Sequence, residues 1–432
     1  MSLPTLSYRP NPWGGTLAVW GGFALILAVA PLFWTSSFAQ TMLSQIGIAI
    51  IACLAYNMLL GQGGMLSFGH AVYSGLGSFL TIHTLNLVSA GTLNIPVSLL
   101  PVVGGLSGML FAALLGWVTT KKSGTTFAMI TMGVGELVWS MSLMIPEFFG
   151  GEGGISGNRV VGKPVMGISF GPQIQVYYLI AVYCFISTAL MYAMTRTPLG
   201  RILNAVRDNP ERVEFIGYDT QMVRFLAFMI SGFFSGVAGG LGALNFEIVT
   251  AEVVGAARSG AYLLFVFLGG ATFFFGPILG AVLMVIALVL LSELTKAWLL
   301  YLGLVFLLMV MYAPGGLASL IMMNVRVAAF GKLKRVLGHY LVLGITGLLA
   351  LAGMAAMIEM LYHLQLNAAL GPTMKFLGVA LDAGTVASWA GALALMVVGG
   401  GLFEWRRRGF ARTWGAIQSE IEHSIQQREG RA

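Results

Sequence analysis

Glu136 stands in MGVGELVW and His70 in SFGHAVY, a carboxylate and an imidazole each set inside an apolar run. A carboxylate at membrane depth is costly to hold. One found there marks a route for an ion, a proton or a polar solute, or a hydrogen-bonded structural role. The imidazole has two readings as well, contact with such a solute or a bond to backbone where a helix breaks. A third polar feature is longer: residues 197–219 read TPLGRILNAVRDNPERVEFIGYD, in a chain otherwise nearly free of charge.

Enzymatic motifs do not accompany these groups. The sequence has no G-x-x-x-x-G-K-[ST] phosphate loop, no H-E-x-x-H, no Cys/His cluster and no G-x-S-x-G elbow. GGEGGISG (150–157) is rich in glycine but has no lysine where a phosphate loop needs one. Cys53 and Cys184 both lie in apolar runs and read as small buried hydrophobes.

The elements that must position these residues are membrane helices. Of 432 residues, 57% are hydrophobic and 9% charged, with a mean hydropathy of +0.87; an ordinary soluble domain is about a quarter charged. Apolar runs fall near 16–35, 40–60, 64–86, 98–119, 125–145, 174–195, 222–243, 259–275, 276–297, 299–313, 339–361 and 384–404. The expected fold is therefore all-α, a polytopic membrane helix bundle. About ten core transmembrane helices and about two more in a C-terminal extension are expected, several short enough to be re-entrant. SSFAQ (36–40) faintly resembles a signal-peptide cleavage site. The apolar stretch before it exceeds the usual signal core, so an uncleaved first span is expected.

Charge placement gives the topology. Of 23 Lys and Arg, 18 fall in five short polar segments: Arg9; Lys121 and Lys122; 196–224; 326–335; and Arg406 onward. Alternating the spans puts all five on one face, the positive-inside pattern, so the formal charge of +7 reports topology rather than nucleic-acid binding. Both termini are then cytoplasmic, and segment 146–173 lies outside. The link carrying Glu247, Glu252 and Arg258 lies outside too, as a solvated connection or a docking site. Four regions follow: 1–39; a core over 40–318 with a polar segment at 196–220; an extension over 319–408; and a polar tail over 409–432. In the tail, Trp414, Ile417, Ile421 and Ile425 make one narrow helical stripe. It suits a membrane surface or a partner, or else belongs to a frayed solvated end.

Within 197–219, Leu199, Ile202, Leu203 and Val206 recur at helical spacing. Asn209 suits an N-cap, Pro210 the first helical position and Gly217 a C′ residue, which predicts a second short helix over 210–216. Such an amphipathic pair must cover its apolar faces with helix ends, bilayer surface or a partner.

At these residues the chain resembles the permease of a branched-chain amino acid ABC importer, the type that works with a periplasmic binding protein. Four stretches carry the resemblance: NMLLGQGGMLSFGHAVYSGLGSF (57–79), TTFAMITMGVGELV (125–138), the segment from Thr197 to Leu241, and FLGGATFFFGPILGA with MYAPGGL (267–281, 311–317). The resemblance implies that 197–219 docks on a cytosolic ABC ATPase subunit through Arg201, Asn204, Arg207, Asp208, Glu211 and Gly217. The Glu-Ala-Ala usual before that glycine is replaced by Arg212-Val213-Glu214-Phe215. It further implies a second homologous permease subunit, a periplasmic solute-binding protein and a place in the bacterial inner membrane. No cofactor is expected in this chain, and ATP and Mg would sit on the partner subunits. Gln62, Ser67, His70 and Glu136 are the candidate lining of the translocation path. The expected function is ATP-driven import of branched-chain or other apolar amino acids, with urea and short amides as alternatives. An ion- or proton-coupled secondary transporter, with Glu136 as its protonation site, is a different class, and a non-transporting scaffold a third. The resemblance does not account for residues beyond APGGL.

Overall fold

A computed structural model describes residues 12–161, 169–366, 371–376 and 378–429; Arg9 and Lys163 lie outside them. The chain forms two compact units, residues 1–286 with 314–318, and residues 287–313 with 319–432. In the first unit the order is α1 (Pro12–Phe33), α2 (Ser37–Asn57), α3 (Ala71–Ser89), α4 (Leu100–Thr119), α5 (Gly124–Met144) and a one-turn α6 (Pro146–Phe149). Then come β1 (Ile155–Ser156), α7 (Gln173–Arg196), α8 (Pro198–Asp208), α9 (Pro210–Phe215), α10 (Thr220–Phe246), β2 (Ile248–Val249), α11 (Ala256–Gly269) and α12 (Gly276–Val285).

The long helix α10 is the hub, because small residues on two of its faces let neighbours approach to backbone distance. A Cβ placed on Gly236 would overlap the carbonyl oxygen of Gly104, and one on Gly108 would overlap that of Gly232. This is a reciprocal four-residue glycine spacing between α10 and α4. On another face Gly239 lies against the carbonyl of Ser74 in α3, and Ser78 donates to the carbonyl of Gly239 at 2.8 Å. The buried Phe228 ring meets Tyr73 of α3 and Phe127 of α5 edge-on, at 5.1 and 5.9 Å between centroids.

Two breaks interrupt this packing. Helix α2 widens into a π-turn (Met58–Gln62) and ends; Gly63 and Met65 both donate to the carbonyl of Leu59. Residues 63–70 are not helical, so the crossing expected from residue 64 begins at Ala71. The second break joins α11 to α12. There Gly270 has φ +108° and Gly316 φ +69°, and each would drive a Cβ into the other's loop. GGATFFFG and APGGL therefore meet backbone to backbone.

The second unit holds α13 (Ser292–Leu294), α14 (Trp298–Tyr312), most of α15 (Gly316–Ala329), α16 (Leu333–Leu366), a hairpin of β3 (Thr373–Phe376) and β4 (Val379–Asp382), and α17 (Val386–Glu429). Helices α16 and α17 pack through Gly353 on the carbonyl of Ala392 and through Gly399 on Ala350. Helix α17 is continuous through Glu429, so the stretch after 408 is helical rather than frayed. Three of the four residues of its apolar stripe are covered by this same chain: Ile417 and Ile421 are buried with Val327 and Val336, with Trp414 packed beside them, and the Ile425 side chain lies outside the described ones. Lys332 pairs with Glu420 at the edge, joined by Arg335 at 3.4 Å.

Among the described residues, eight helical stretches are long and apolar enough to cross a membrane, or nine if the bent pair α14–α15 counts as one. The all-α bundle is as expected. The smaller number reflects α11 and the described apolar part of α1 (Leu17–Phe33), both short, and α3, long enough at 19 residues but interrupted by Ser, Thr, His83 and Asn86.

Candidate functional site

The polar segment folds as its capping residues dictate. Thr197 accepts from the amide of Gly200 at 3.3 Å, and Pro198 opens α8. Asn209 accepts from the amide of Arg212 at 3.0 Å, ending α8 and starting α9. Gly200, Leu203 and Val206 are buried, with Leu199 and Ile202 half-buried, so the predicted apolar face turns inward.

That face lies on the broken end of α2. The side-chain amide of Asn204 donates to Oε1 of Gln62 at 2.9 Å. The guanidinium of Arg207 donates to the carbonyl of Gly61 and also reaches Asp208 at 3.0 Å. Carbonyls in the last turn of a helix have no partner within it, and a cation there both satisfies the bond and complements the dipole. Close approach is possible because Gly64, at φ +64°, leaves room for the Arg207 stem. Gly61 in turn lies against the carbonyl of Ala271 in the α11–α12 turn. Three stretches distant in sequence thus converge on the end of α2.

The outer side of the segment is different. Of the apolar residues on α9 and its C-terminal end, Val213 is buried, whereas Phe215 is 90% exposed and Ile216 67%. Arg201, Asp208 and Glu211 are exposed. Gly217 has φ +90° with open space where a side chain would point. Beyond it, Thr220 donates to Glu214 at 2.8 Å, and Asp219 caps α10 by accepting from Gln221 and Met222. The tip is fastened directly to the hub helix.

The four path candidates separate. Gln62 belongs to the α8 contact. Ser67 is buried, and its carbonyl accepts from Tyr56 at 2.9 Å. His70 is fully buried, its Nε2 2.7 Å from Oγ of Ser235, and its ring meets Tyr56 edge-on. It bonds a side chain of α10 rather than backbone. Around it, Phe68 donates its amide to Thr131 of α5, and Ala71 to Ser259 of α11. The break is therefore held by hydroxyls from four helices, α2, α5, α10 and α11. Glu136 is apart from all of these, exposed midway along α5.

At the other end of α10, Arg159 is the residue that sequence reading passed over. Its buried guanidinium donates to the carbonyls of Leu244 and Asn245, orphans of the α10 C-terminus, and to Phe170 and Gly171. Its own amide donates to Glu247 at 2.9 Å. Glu247 thus secures a loop, alongside the short β1–β2 pairing, while Glu252 remains exposed.

Comparison with known proteins adds family information. Residues 38–314 match the model of a family described as branched-chain amino acid transport system / permease component. The chain is 28% identical over 317 residues to the high-affinity branched-chain amino acid transport system permease protein LivM of Escherichia coli (strain K12), covering 68% of this chain and 73% of the relative. The LivM protein of Salmonella typhimurium (strain LT2) matches to the same extent. No solved structure matches significantly.

Proposed function

Since this chain belongs to the family of permease components of branched-chain amino acid transport systems, we propose that it is the membrane-spanning subunit of an ATP-driven importer for branched-chain amino acids. ATP and Mg act on separate cytosolic ATPase subunits. A second homologous permease completes the membrane part, and a periplasmic binding protein delivers the solute. The chain lies in the bacterial inner membrane with both termini, and the α8–α9 segment, on the cytoplasmic side.

The observation that carries this reading is the two-sidedness of 197–219. One side grips Gly61 and Gln62; the other presents Phe215 and Ile216 to solvent. Large apolar side chains exposed together on a polar segment mark a protein interface. Val213 points inward where the usual motif has alanine, and Phe215 is the outward knob. Arg201, Asp208 and Glu211 form the polar rim around it, and Gly217 sets the turn. Closure of two ATPases displaces α8–α9 as a rigid piece. The fastenings to α2 and α10 pass that movement to the helices flanking the break at 63–70, and the path opens alternately to the two sides.

Burying a phenylalanine is worth about 1.5–3 kcal/mol, so Phe215→Asp removes most of the knob's contribution. The partner ATPase co-purifies with the wild-type chain and is lost from Phe215→Asp, while membrane insertion is unchanged. Retention of the ATPase by the variant would sink the docking assignment. Uptake into vesicles given ATP but no ion gradient separates this reading from a gradient-driven transporter.

A further inference from the structure

Glu136 is the thirteenth of 21 residues in α5, at the middle of a stretch long and apolar enough to cross the membrane. One side of α5 is packed. Thr131 takes the amide of Phe68, Gly135 lies on Gly69, and Phe127, Val138 and Ser142 are buried. Glu136 is on the opposite side. Met129, Met132, Gly133, Leu137 and Ser140 share that exposed side. Among the described residues no donor or cation reaches the carboxylate.

Such a group is not stable against hydrocarbon and requires water or a cation. A second copy of this chain offers no basic side chain at that depth. Among the described residues, Lys and Arg lie in connecting segments, near helix ends, as with Arg196 at the end of α7 and Arg224 in the second turn of α10, or in α17 beyond its apolar stretch, from Arg406 onward. A solute crossing the membrane along this face can supply that cation. An amino acid carries an ammonium group, and its apolar side chain suits flexible methionines that adapt to branched shapes.

Resting on the importer reading for the nature of the cargo, we propose that Glu136 receives the ammonium group of the amino acid in transit, with Met129, Met132 and Leu137 against its side chain. Glu136 is then a binding residue on the wall of the path, whereas Gln62, Ser67 and His70 belong to the scaffold behind it.

The test uses the whole complex, permeases with ATPases, in liposomes supplied with binding protein and leucine. Glu136→Gln lowers the leucine uptake rate at least tenfold while complex assembly and ATP hydrolysis stay within twofold of wild type. Glu136→Asp, which keeps the charge, recovers at least a third of the rate. Uptake by Glu136→Gln equal to wild type overturns the proposal. So does dissociation of the complex, which would make Glu136 an intersubunit contact. A second measurement is independent of the energy source. Glu136→Cys, with Cys53 and Cys184 replaced by serine, reacts with a membrane-impermeant thiol reagent, and millimolar leucine slows that reaction. Protection by leucine in a complex that shows no ATP-driven uptake would remove the importer reading and leave the binding residue standing. A thiol inert from both sides of the membrane, or one that leucine does not protect, overturns it.

Discussion

The side chains of Asn204 and Gln62 are hydrogen-bonded at 2.9 Å across 142 residues of sequence. One belongs to the polar segment and the other to the broken end of a membrane helix, so this amide pair is a joint between the two. Removing either partner of such a bond costs about 1 kcal/mol. Asn204→Ala and Gln62→Ala each lower the uptake obtained per ATP hydrolysed severalfold, and the double variant is no worse than either single one. Additive losses in that cycle would show that the two side chains act separately.

Arg207 carries more of the same joint because it meets a helix-end carbonyl with a charge. Arg207→Ala leaves Gly61 unsatisfied and lowers coupling more than Arg201→Ala, whose parent side chain is exposed. Comparable effects from the two, measured as uptake against ATPase rate, would remove Arg207 from the joint.

Gly217 matters for backbone conformation, not for space. At φ +90° any side chain is strained although nothing lies within 4 Å; a β-branched one costs about 1–2 kcal/mol or more. Gly217→Val turns Phe215 away from its docking position, and the ATPase no longer co-purifies, while expression in the membrane is unaltered. Normal co-purification would mean that the turn is not needed.

The glycine contact between α10 and α4 is a stability feature. Gly236→Leu forces side-chain atoms into the backbone of α4, an overpacking worth at least about 1–3 kcal/mol. Its thermal unfolding midpoint in detergent falls by several degrees. Gly242→Ala serves as the control, since its added carbon meets nothing within 4 Å, and it does not lower the midpoint.

In the second unit, Ile421→Asp buries a charge in the apolar cluster that holds the end of α17. Limited trypsin digestion then cleaves among Arg406, Arg407, Arg408 and Arg412 far faster than in wild type. Resistance equal to wild type would mean that the tail is held by something else.

The α8–α9 pair was legible because its determinants are local: Asn209, Pro210 and Gly217 act on neighbours within a turn. The covered stripe of the tail was not, since the complementary residues Val327 and Val336 lie 81 to 94 positions before Ile417 and Ile421 and carry no mark of their purpose. The same limit separated Gln62 from Asn204, which sequence reading assigned to different tasks. His70 drew attention as an ionisable group in an apolar run, but Ser235, its partner, is one of the small residues in SGFFSGVAGGL (231–241) and carries no sign of that bond. Arg159 carried no motif. Its role exists only because α10 ends beside it.

That last arrangement has a consequence for synthesis. Arg159 leaves the ribosome 88 residues before Glu247, and 85 before the first of the two α10 carbonyls it caps. Until α10 has threaded into the bilayer, the guanidinium has its partners at Phe170 and Gly171 but lacks the two α10 carbonyls and Glu247, and the loop around it is only partly fastened. A chain that stops before α10 therefore leaves the loop at Arg159 held only through Phe170, Gly171 and Gln173.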